Sequence, residues 1–349
     1  MSTTRKLNAE AEQFMKVLKG EVPDFVPKWT NMGVVNPYSD KPANPVGLGS
    51  SALPGRTVLA DGKFMDMWGV TYVGVDSISG NALPEPNNFI LDDITKWRDV
   101  IKAPDISNID WEIACKKDLE ARGDISESVI QLGNPNGFFM TLMNFMGFDQ
   151  GLMAMYEEPE EVKALFDYLA DFYCSISDQL MKYWGDIVDF VGVGDDTATE
   201  DNPFISPEMH HELIRPYHAR VTKAAMDRGM PVMMHCCGRC EDFIEDWISY
   251  GVTAWNPAQL KNDLDGIKAK YGNSLVLTGC WDSTGPAGWP DATEELIKET
   301  VRATMNRFGK GGGHMFFGSF YGFEGDPQLE NRRRWMSEAY EAYREEPYK

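Results

Sequence analysis

From about residue 125 onward, short apolar runs alternate along the chain with longer stretches of helical periodicity. The runs that predict buried strands are residues 129–133, 187–194, 231–235, 252–255, 275–279 and 314–318. The stretches that predict helices are residues 160–184, a segment opened by Ser206 and Pro207 and interrupted near Pro216, and residues 241–249, 292–307 and 327–344. Strands that alternate with helices favour a parallel sheet with right-handed crossovers. An early apolar run at residues 25–32 would make seven strands, close to the eight of a (β/α)8 TIM barrel of the α/β class.

The sequence predicts one domain over residues 1–349, because no Ser-, Gly- or Pro-rich linker divides it. Residues 1–124 would form an N-terminal extension with the first strand, and residues 125–349 the main repeating units of the barrel. The extension is expected to be irregular, since residues 37–54 are crowded with Pro, Gly, Asn and Ser. Such a composition is typical of a loop that lies over another part of the protein.

The charge balance excludes several classes of partner. The 349 residues include 33 Lys and Arg against 54 Asp and Glu, a formal net charge of −21. Nucleic acids and anionic lipid surfaces bind clustered cations, so we expect neither as a partner. No stretch approaches the ~20 apolar residues that span a bilayer, and residues 1–16 lack the apolar core of a signal peptide. The composition therefore predicts a cytoplasmic enzyme, for which a homodimer is one expected assembly.

The end of the predicted strand at residues 231–235 carries the richest chemistry. His235 and Cys237 share one face there, because successive strand residues point to opposite faces. Imidazole and thiolate together suit zinc best, and a site with an open fourth position would be catalytic. Cys280, directly after the strand at residues 275–279, is the expected third ligand, and Cys240 is an alternative.

The same residues could also serve roles other than zinc catalysis. Cysteines are often plain buried side chains, and a histidine in an apolar strand is often held structurally. Cys237 and Cys240 also form a Cys-x-x-Cys pair between a strand and a predicted helix, a spacing used in dithiol redox chemistry. A noncatalytic zinc-binding or redox protein is therefore one alternative.

A second strand end carries two adjacent carboxylates, Asp195 and Asp196, after the apolar strand at residues 187–194. They could bind a cation, take a proton or hold a substrate hydroxyl, and loop solubility or helix capping is the plainer role. The preceding glycines lack the third glycine of a dinucleotide-binding motif. Tyr321, after the last predicted strand, should lie at the mouth of the barrel.

Several stretches together resemble the uroporphyrinogen decarboxylase superfamily, whose fold is a (β/α)8 barrel. They are Gly20, Asp24, Val26 and Pro27 after a first helix; Asp66 to Gly69 before Tyr72; Gly147 and Phe148 before a helix start at Glu158 to Val162; Asp195 and Asp196 before Ser206 and Pro207; and His235, Cys237 and Gly238. The stretches cover most of the chain, and their order and spacing carry the resemblance.

The resemblance implies one of two chemistries. The decarboxylase of the superfamily holds a porphyrinogen with eight carboxylates by an arginine-rich segment after its first strand, but this chain has no Arg between Arg5 and Arg56. On a chain of net charge −21, binding such a polyanion without guanidinium groups is unfavourable. The other branch consists of methyltransferases that work with a separate corrinoid (cobalamin) protein and hold zinc by a His-x-Cys…Cys set.

His235 and Cys237 match the first two ligands of that set. Its last cysteine would fall near residues 318–319, where this chain has Ser319, so Cys280, His314 or a carboxylate would complete the shell. The resemblance thus implies a zinc-dependent transfer of a methyl group between a small methyl donor or acceptor and a corrinoid protein. Removal of a methyl group from a methoxy compound, such as an aryl methyl ether, is favoured over methylation of a thiol of the coenzyme M type. Asp195 or Asp196 would orient the site or contact substrate, and Tyr321 would give a proton to the leaving phenolate.

Overall fold

The computed structural model describes residues 5–29, 46–74, 82–133, 137–320 and 326–349. Its strands are β1 (Val46–Leu48), β2 (Thr57–Val58), β3 (Phe64–Met65), β4 (Thr71–Gly74), β5 (Ala82–Pro84), β6 (Ile130–Gly133), β7 (Phe190–Gly194), β8 (Val232–His235), β9 (Val252–Ala258), β10 (Val276–Cys280) and β11 (His314–Phe317). Its α-helices are α1 (Ala9–Leu18), α2 (Trp97–Val100), α3 (Trp111–Arg122), α4 (Phe138–Met146), α5 (Phe148–Glu157), α6 (Pro159–Trp184), α7 (Pro207–Leu213), α8 (Arg215–Met226), α9 (Ile244–Ser249), α10 (Leu264–Tyr271), α11 (Glu294–Phe308) and α12 (Leu329–Tyr343).

One sheet of seven parallel strands organises the molecule, in the order β1-β6-β7-β8-β9-β10-β11. The α/β class and the parallel arrangement are therefore confirmed. Beyond β11, Lys28 forms an isolated parallel bridge with Phe316, at the place of the early strand predicted over residues 25–32. A closed barrel of eight strands stays a prediction, because residues 30–45, between Lys28 and β1, lie outside the described part of the chain.

The two faces of this sheet bury different clusters. Alternate strand residues pack with α1, among them Phe190, Met233 and Val276. The residues between them, such as Val191, Met234 and Leu277, belong to a second cluster that includes α4, α6 and α8. Because strand side chains alternate between faces, the first set faces inward and the second faces the outer helices. Helix α1 therefore covers the inner side at the N-terminal ends of the strands.

The helices follow the local signals in the sequence. At the start of α7, the Ser206 hydroxyl accepts a hydrogen bond from the backbone N–H of Met209 at 3.2 Å, and Pro207 occupies the first turn. The predicted interruption near Pro216 is confirmed, since α7 ends at Leu213 and α8 begins at Arg215. Helix α6 runs without a break to Trp184, as its apolar spacing predicted.

The N-terminal third is more ordered than its composition suggested. Strand β1 lies in the stretch expected to be a loop and joins the edge of the parallel sheet beside β6. Strands β2 to β5 form a separate antiparallel sheet. Asp66 stabilises it by accepting hydrogen bonds from the backbone N–H groups of Trp68 and Val70 and from the Tyr72 hydroxyl. The expectation of an irregular extension was therefore wrong for these segments, whose strands are too short to show a clear alternation.

A cavity of about 970 Å³ opens at the N-terminal ends of the strands, lined by residues such as Leu18, Met230 and Thr253. It lies at the opposite end of the sheet from the strand ends that carry the predicted chemistry. Within the described ranges, no helix has the length and apolar character needed to cross a membrane.

Candidate metal and substrate site

The site is built by two neighbouring strands. β7 and β8 are parallel, and their last residues, Gly194 and His235, are paired in register. The backbone N–H of Asp195 donates to the carbonyl oxygen of His235 at 2.9 Å, which continues the ladder by one residue. The backbone N–H of Cys237 then donates to Oδ1 of Asp196 at 2.8 Å. The two strand ends therefore meet at one edge of the sheet, as predicted for parallel strands.

Three side chains at this edge present metal-ligand atoms to one another. Nε2 of His235 lies 3.7 Å from Sγ of Cys237 and 3.9 Å from Oδ1 of Asp196. Ligand atoms of all three residues lie within 4.8 Å of one another. The His235 side chain is 53 % exposed and that of Asp196 is 40 % exposed, so the group can be reached from solvent.

A fourth residue fixes the direction of the imidazole. Nδ1 of His235 donates a hydrogen bond to Oδ1 of Asn256 at 3.1 Å, from the neighbouring strand β9. The acceptor on Asn256 requires the proton on Nδ1, so Nε2 keeps its lone pair toward Cys237 and Asp196. Metal-ligating histidines are commonly held in this way by a hydrogen bond to the other ring nitrogen.

The donor set fits zinc. One imidazole nitrogen, one thiol and one carboxylate are the ligand types zinc prefers, and three protein ligands leave one position for substrate. Burial, followed by the nearby charge of Asp196, raises the pKa of the Cys237 thiol to about 12 in the metal-free protein. A cation bound at this sulfur would favour the thiolate instead.

The loop after β8 holds Cys237 in place. Gly238 has a positive φ of 87°, and a Cβ there would lie 2.2 Å from the carbonyl oxygen of Thr199, so only glycine fits. Asn262 accepts a hydrogen bond from the backbone N–H of Cys240 at 2.9 Å and donates one to the carbonyl oxygen of Gly238 at 2.9 Å. The backbone on the C-terminal side of the ligand is therefore tied to the segment after β9.

Asp195, predicted to be catalytic, has a different environment from Asp196. Its buried carboxylate accepts hydrogen bonds from the backbone N–H groups of Phe138, Phe139 and Met140 at 2.8–2.9 Å, at the start of α4. Nε2 of His218 donates to the same carboxylate at 3.2 Å. Gly137 permits this approach, since a Cβ there would lie 2.2 Å from the carboxylate. These contacts anchor α4 on β7, and a role for Asp195 in the reaction stays a prediction.

The predicted third ligand, Cys280, does not belong to the group formed by Asp196, His235 and Cys237 among the described residues. It is fully buried at the end of β10, in the cluster that faces the outer helices, where the charges of Lys268 and Arg307 act on it. Burial raises the pKa of its thiol. Its role as a ligand stays a prediction.

The other candidates for the third ligand have different environments in the structure. Cys240 is buried, with its thiol directed to the carbonyl oxygens of Cys236 and Gly238. His314 is buried at the start of β11, at the other end of the sheet, and its Nδ1 donates to the carbonyl oxygen of Leu277 at 2.9 Å. Burial lowers the pKa of His314 to about 3, so it is neutral. The carboxylate alternative is the one that the geometry provides, as Asp196. Tyr321 lies outside the described residues.

Sequence reasoning missed Asn256 because it follows the predicted strand at residues 252–255 by one position. The signal was present: an Asn at the end of the strand next to the one that carries His235, on the same inward face. Gln259 and Asn262, which hold the loop after β8, gave no comparable signal, since polar residues are ordinary after a strand.

Comparison with known proteins agrees with this fold. Residues 75–341 match the family model described as Uroporphyrinogen decarboxylase (URO-D). No curated protein sequence matches the chain. A solved methyltransferase from Methanosarcina mazei shares the fold, with a TM-score of 0.62 and 16 % identity, over 96 % of this chain and 98 % of that chain.

Two further solved structures are more distant. Dispersin B aligns over 96 % of this chain and 94 % of its own length with 11 % identity and a TM-score of 0.38. Old Yellow Enzyme from Pichia aligns over 65 % and 67 % with 12 % identity and a TM-score of 0.36. Neither similarity is strong enough to bear on function. The family match confirms the resemblance seen in the sequence, and because it covers most of the chain, the protein belongs to the uroporphyrinogen decarboxylase (URO-D) family.

Proposed function

We propose that the protein is a zinc-dependent methyltransferase that moves a methyl group between a small methoxy compound, such as an aryl methyl ether, and the cobalt of a separate corrinoid protein. The observation that carries the proposal is the group formed by Asp196, His235 and Cys237 at the exposed edge of the sheet. Membership of the URO-D family indicates an enzyme, and the fold shared with a methyltransferase agrees with methyl transfer.

The residues of the group have distinct tasks in this reaction. Zinc held by Asp196, His235 and Cys237 would supply a Lewis acid for an ether oxygen or a thiol. Asn256 keeps the Nδ1 proton of His235 in place, so that Nε2 stays free as a ligand. The N–H of Cys237 holds the carboxylate of Asp196 beside the imidazole. The exposure of His235 and Asp196 leaves the proposed metal group within reach of solvent, which transfer to a corrinoid partner requires.

The family description favours a second candidate, decarboxylation of a porphyrinogen or similar acid. Binding several carboxylates calls for bidentate guanidinium groups, and the chain has no Arg from residue 6 to residue 55. A third candidate, transfer from a methylated corrinoid to a thiol of the coenzyme M type, would use the same metal group. It differs from the first in its acceptor and in the direction of transfer.

Metal content and cobalt spectroscopy test the proposal. We expect about one zinc per chain by elemental analysis, and conversion of cob(I)alamin to the methyl-Co(III) form when 2-methoxyphenol is added. The His235→Ala variant should lose both properties. His211→Ala is the matched control, because His211 is an exposed histidine that pairs with Asp246 and lies outside the ligand group.

Three outcomes would contradict the proposal: protein without stoichiometric zinc, full activity in His235→Ala, or no methyl-Co(III) with any methoxy, amine or thiol compound. Loss of the methyl group from methylcobalamin to an added thiol, without the forward reaction, would support the third candidate. Release of CO2 from a porphyrinogen without zinc would support the second.

A further inference from the structure

A polar layer lies on the inner face of the sheet, one step above an apolar layer. Strand residues two apart share a face, so each inward apolar residue is followed by a second inward residue closer to the metal group. The apolar layer consists of Val129, Phe190, Met233, Ala254, Val276 and Met315. The residues two positions later are Gln131, Gly192, His235, Asn256, Thr278 and Phe317, and we call them the polar layer after their four polar members.

Three members of the polar layer bury polar atoms that have no protein partner within the described ranges. They are Oε1 of Gln131, Nδ2 of Asn256 and Oγ1 of Thr278. All three side chains are at least nine-tenths buried. Folded proteins pair nearly all buried polar groups, so a layer with three unpaired ones is suited to bind a polar molecule.

Asn256 connects this layer to the metal group. Its Oδ1 accepts the Nδ1 proton of His235, while its Nδ2 is one of the unpaired atoms. Thr278 lies on the adjacent strand β10, beside the point where the register between β9 and β10 shifts around Asn256. The unpaired donor and the unpaired hydroxyl therefore lie on neighbouring strands of the same face, and Asn256 is the one of the two that contacts His235.

We propose that Asn256 and Thr278 form a substrate subsite that binds an uncharged hydroxyl group, with Asn256 acting at both ends: Oδ1 positions His235, and Nδ2 binds the substrate oxygen. This inference rests on the proposed function and names the part of the methoxy compound that the same site recognises. A hydroxyl oxygen accepts the hydrogen bond of Nδ2, and its proton is donated to Oγ1 of Thr278.

The charge of the surroundings selects against acids. None of the six residues of the polar layer is Lys or Arg, and Asp196 adds a negative charge at the edge above it. With zinc bound, the negative charges of Asp196 and of the Cys237 thiolate offset the two positive charges of the ion, so a carboxylate that leaves water here meets no net positive charge. The subsite therefore favours an aryl methyl ether with a free hydroxyl over one with a carboxylate.

Calorimetric titration of the zinc-loaded protein with three matched probes tests the subsite. We expect 2-methoxyphenol to bind about 10-fold more tightly than methoxybenzene, which lacks the hydroxyl, and 2-methoxybenzoate to bind no better than methoxybenzene. Thr278→Val should reduce the preference for 2-methoxyphenol to within about twofold. Thr253→Val is the matched control, because it also removes a buried unpaired hydroxyl, but at the N-terminal end of β9.

Two variants distinguish the role of Oδ1 of Asn256 from that of Nδ2. Asn256→Asp keeps an acceptor for His235 but removes the donor, so zinc affinity should be at least that of the unmodified protein while the hydroxyl preference is lost. Asn256→Leu removes both ends, and zinc affinity should also fall by about 10–100-fold.

Equal affinities for 2-methoxyphenol and methoxybenzene in the unmodified protein, including no binding of either, would overturn the subsite. So would an unchanged preference in Thr278→Val or Asn256→Asp. A protein that binds zinc and transfers methyl groups but shows no hydroxyl preference would contradict only this inference. A protein that binds no zinc would contradict the proposed function.

Discussion

Two regions of the sheet carry a histidine and a cysteine, yet their environments are opposite. At the edge formed by β7 and β8, His235 is the last residue of β8 and Cys237 lies two residues beyond it, and the imidazole is exposed beside Asp196. Cys280 is the last residue of β10 and His314 is the first residue of β11, at the other end of the sheet, and both are buried. The difference teaches that residue type alone does not mark a metal site: the end of the strand that a side chain occupies and the face of the sheet on which it lies decide whether it can meet a ligand.

The two cysteines provide the strongest test of this comparison. Cys237→Ser removes the thiol of the proposed ligand group, so zinc affinity should fall by well over the ~100-fold expected for loss of a supporting residue. Cys280→Ser places a hydroxyl in an apolar cluster, so it should lower the free energy of unfolding by about 1–3 kcal/mol and leave zinc bound. Competition with a zinc chelator and urea unfolding measure the two effects. Zinc loss in Cys280→Ser at unchanged fold would instead identify Cys280 as the missing ligand.

The same contrast between a ligand position and a buried structural position exists for the two adjacent aspartates after β7, Asp195 and Asp196. Asp195→Ala leaves the first N–H groups of α4 and the imidazole of His218 without their acceptor, so we expect a loss of about 2–3 kcal/mol in unfolding free energy. Asp196→Ala should change stability little but weaken zinc binding. Thermal unfolding of the metal-free proteins and zinc titration separate the two roles. The comparison fails if the stability loss occurs in Asp196→Ala instead.

The buried histidine of β11 gives a smaller, pH-dependent effect. Burial lowers the pKa of His314 to about 3, below the ~6.5 of an exposed histidine in the unfolded chain. Below pH ~6.5 the unfolded state takes up a proton that the folded state does not, so the folded protein loses ~1.4 kcal/mol per pH unit until about pH 3.

The difference in unfolding free energy between the unmodified protein and His314→Gln should therefore shrink by about 2 kcal/mol from pH 6.5 to pH 5. Urea unfolding at a series of pH values measures it. A constant difference for His314→Gln would mean that His314 can be protonated within the fold.

The sequence predicted the parts of the fold that depend on local periodicity. The six strands from β6 to β11 and the helices α6, α11 and α12 were all recognisable, because apolar spacing repeats within each segment. Strand β1 and the antiparallel sheet of β2 to β5 were missed. Those strands have two to four residues, too few to show a clear alternation, and the pairing of β1 depends in addition on a distant contact, that of Val46 with Ile130.

The site divides in the same way. The pair His235 and Cys237 followed from alternation along one strand, and the structure brings the two side chains together. Asp196, rather than Asp195, joins this pair. The reason is that the carboxylate of Asp195 accepts hydrogen bonds from the first N–H groups of α4, and that contact joins residues 57 positions apart. The hydrogen bond from His235 to Asn256 likewise joins different strands. Spacing within a single segment cannot show either choice.

The stacking of a polar layer on an apolar one has a consequence for how deeply a molecule can enter. Two residues along a strand span about 6.6 Å, so within that distance along β8 the lining changes from the exposed His235 to the buried Met233. An ionised group loses its hydration over the same path, whereas a neutral one loses much less. Neutral molecules can therefore enter along this face of the sheet more deeply than ionised ones.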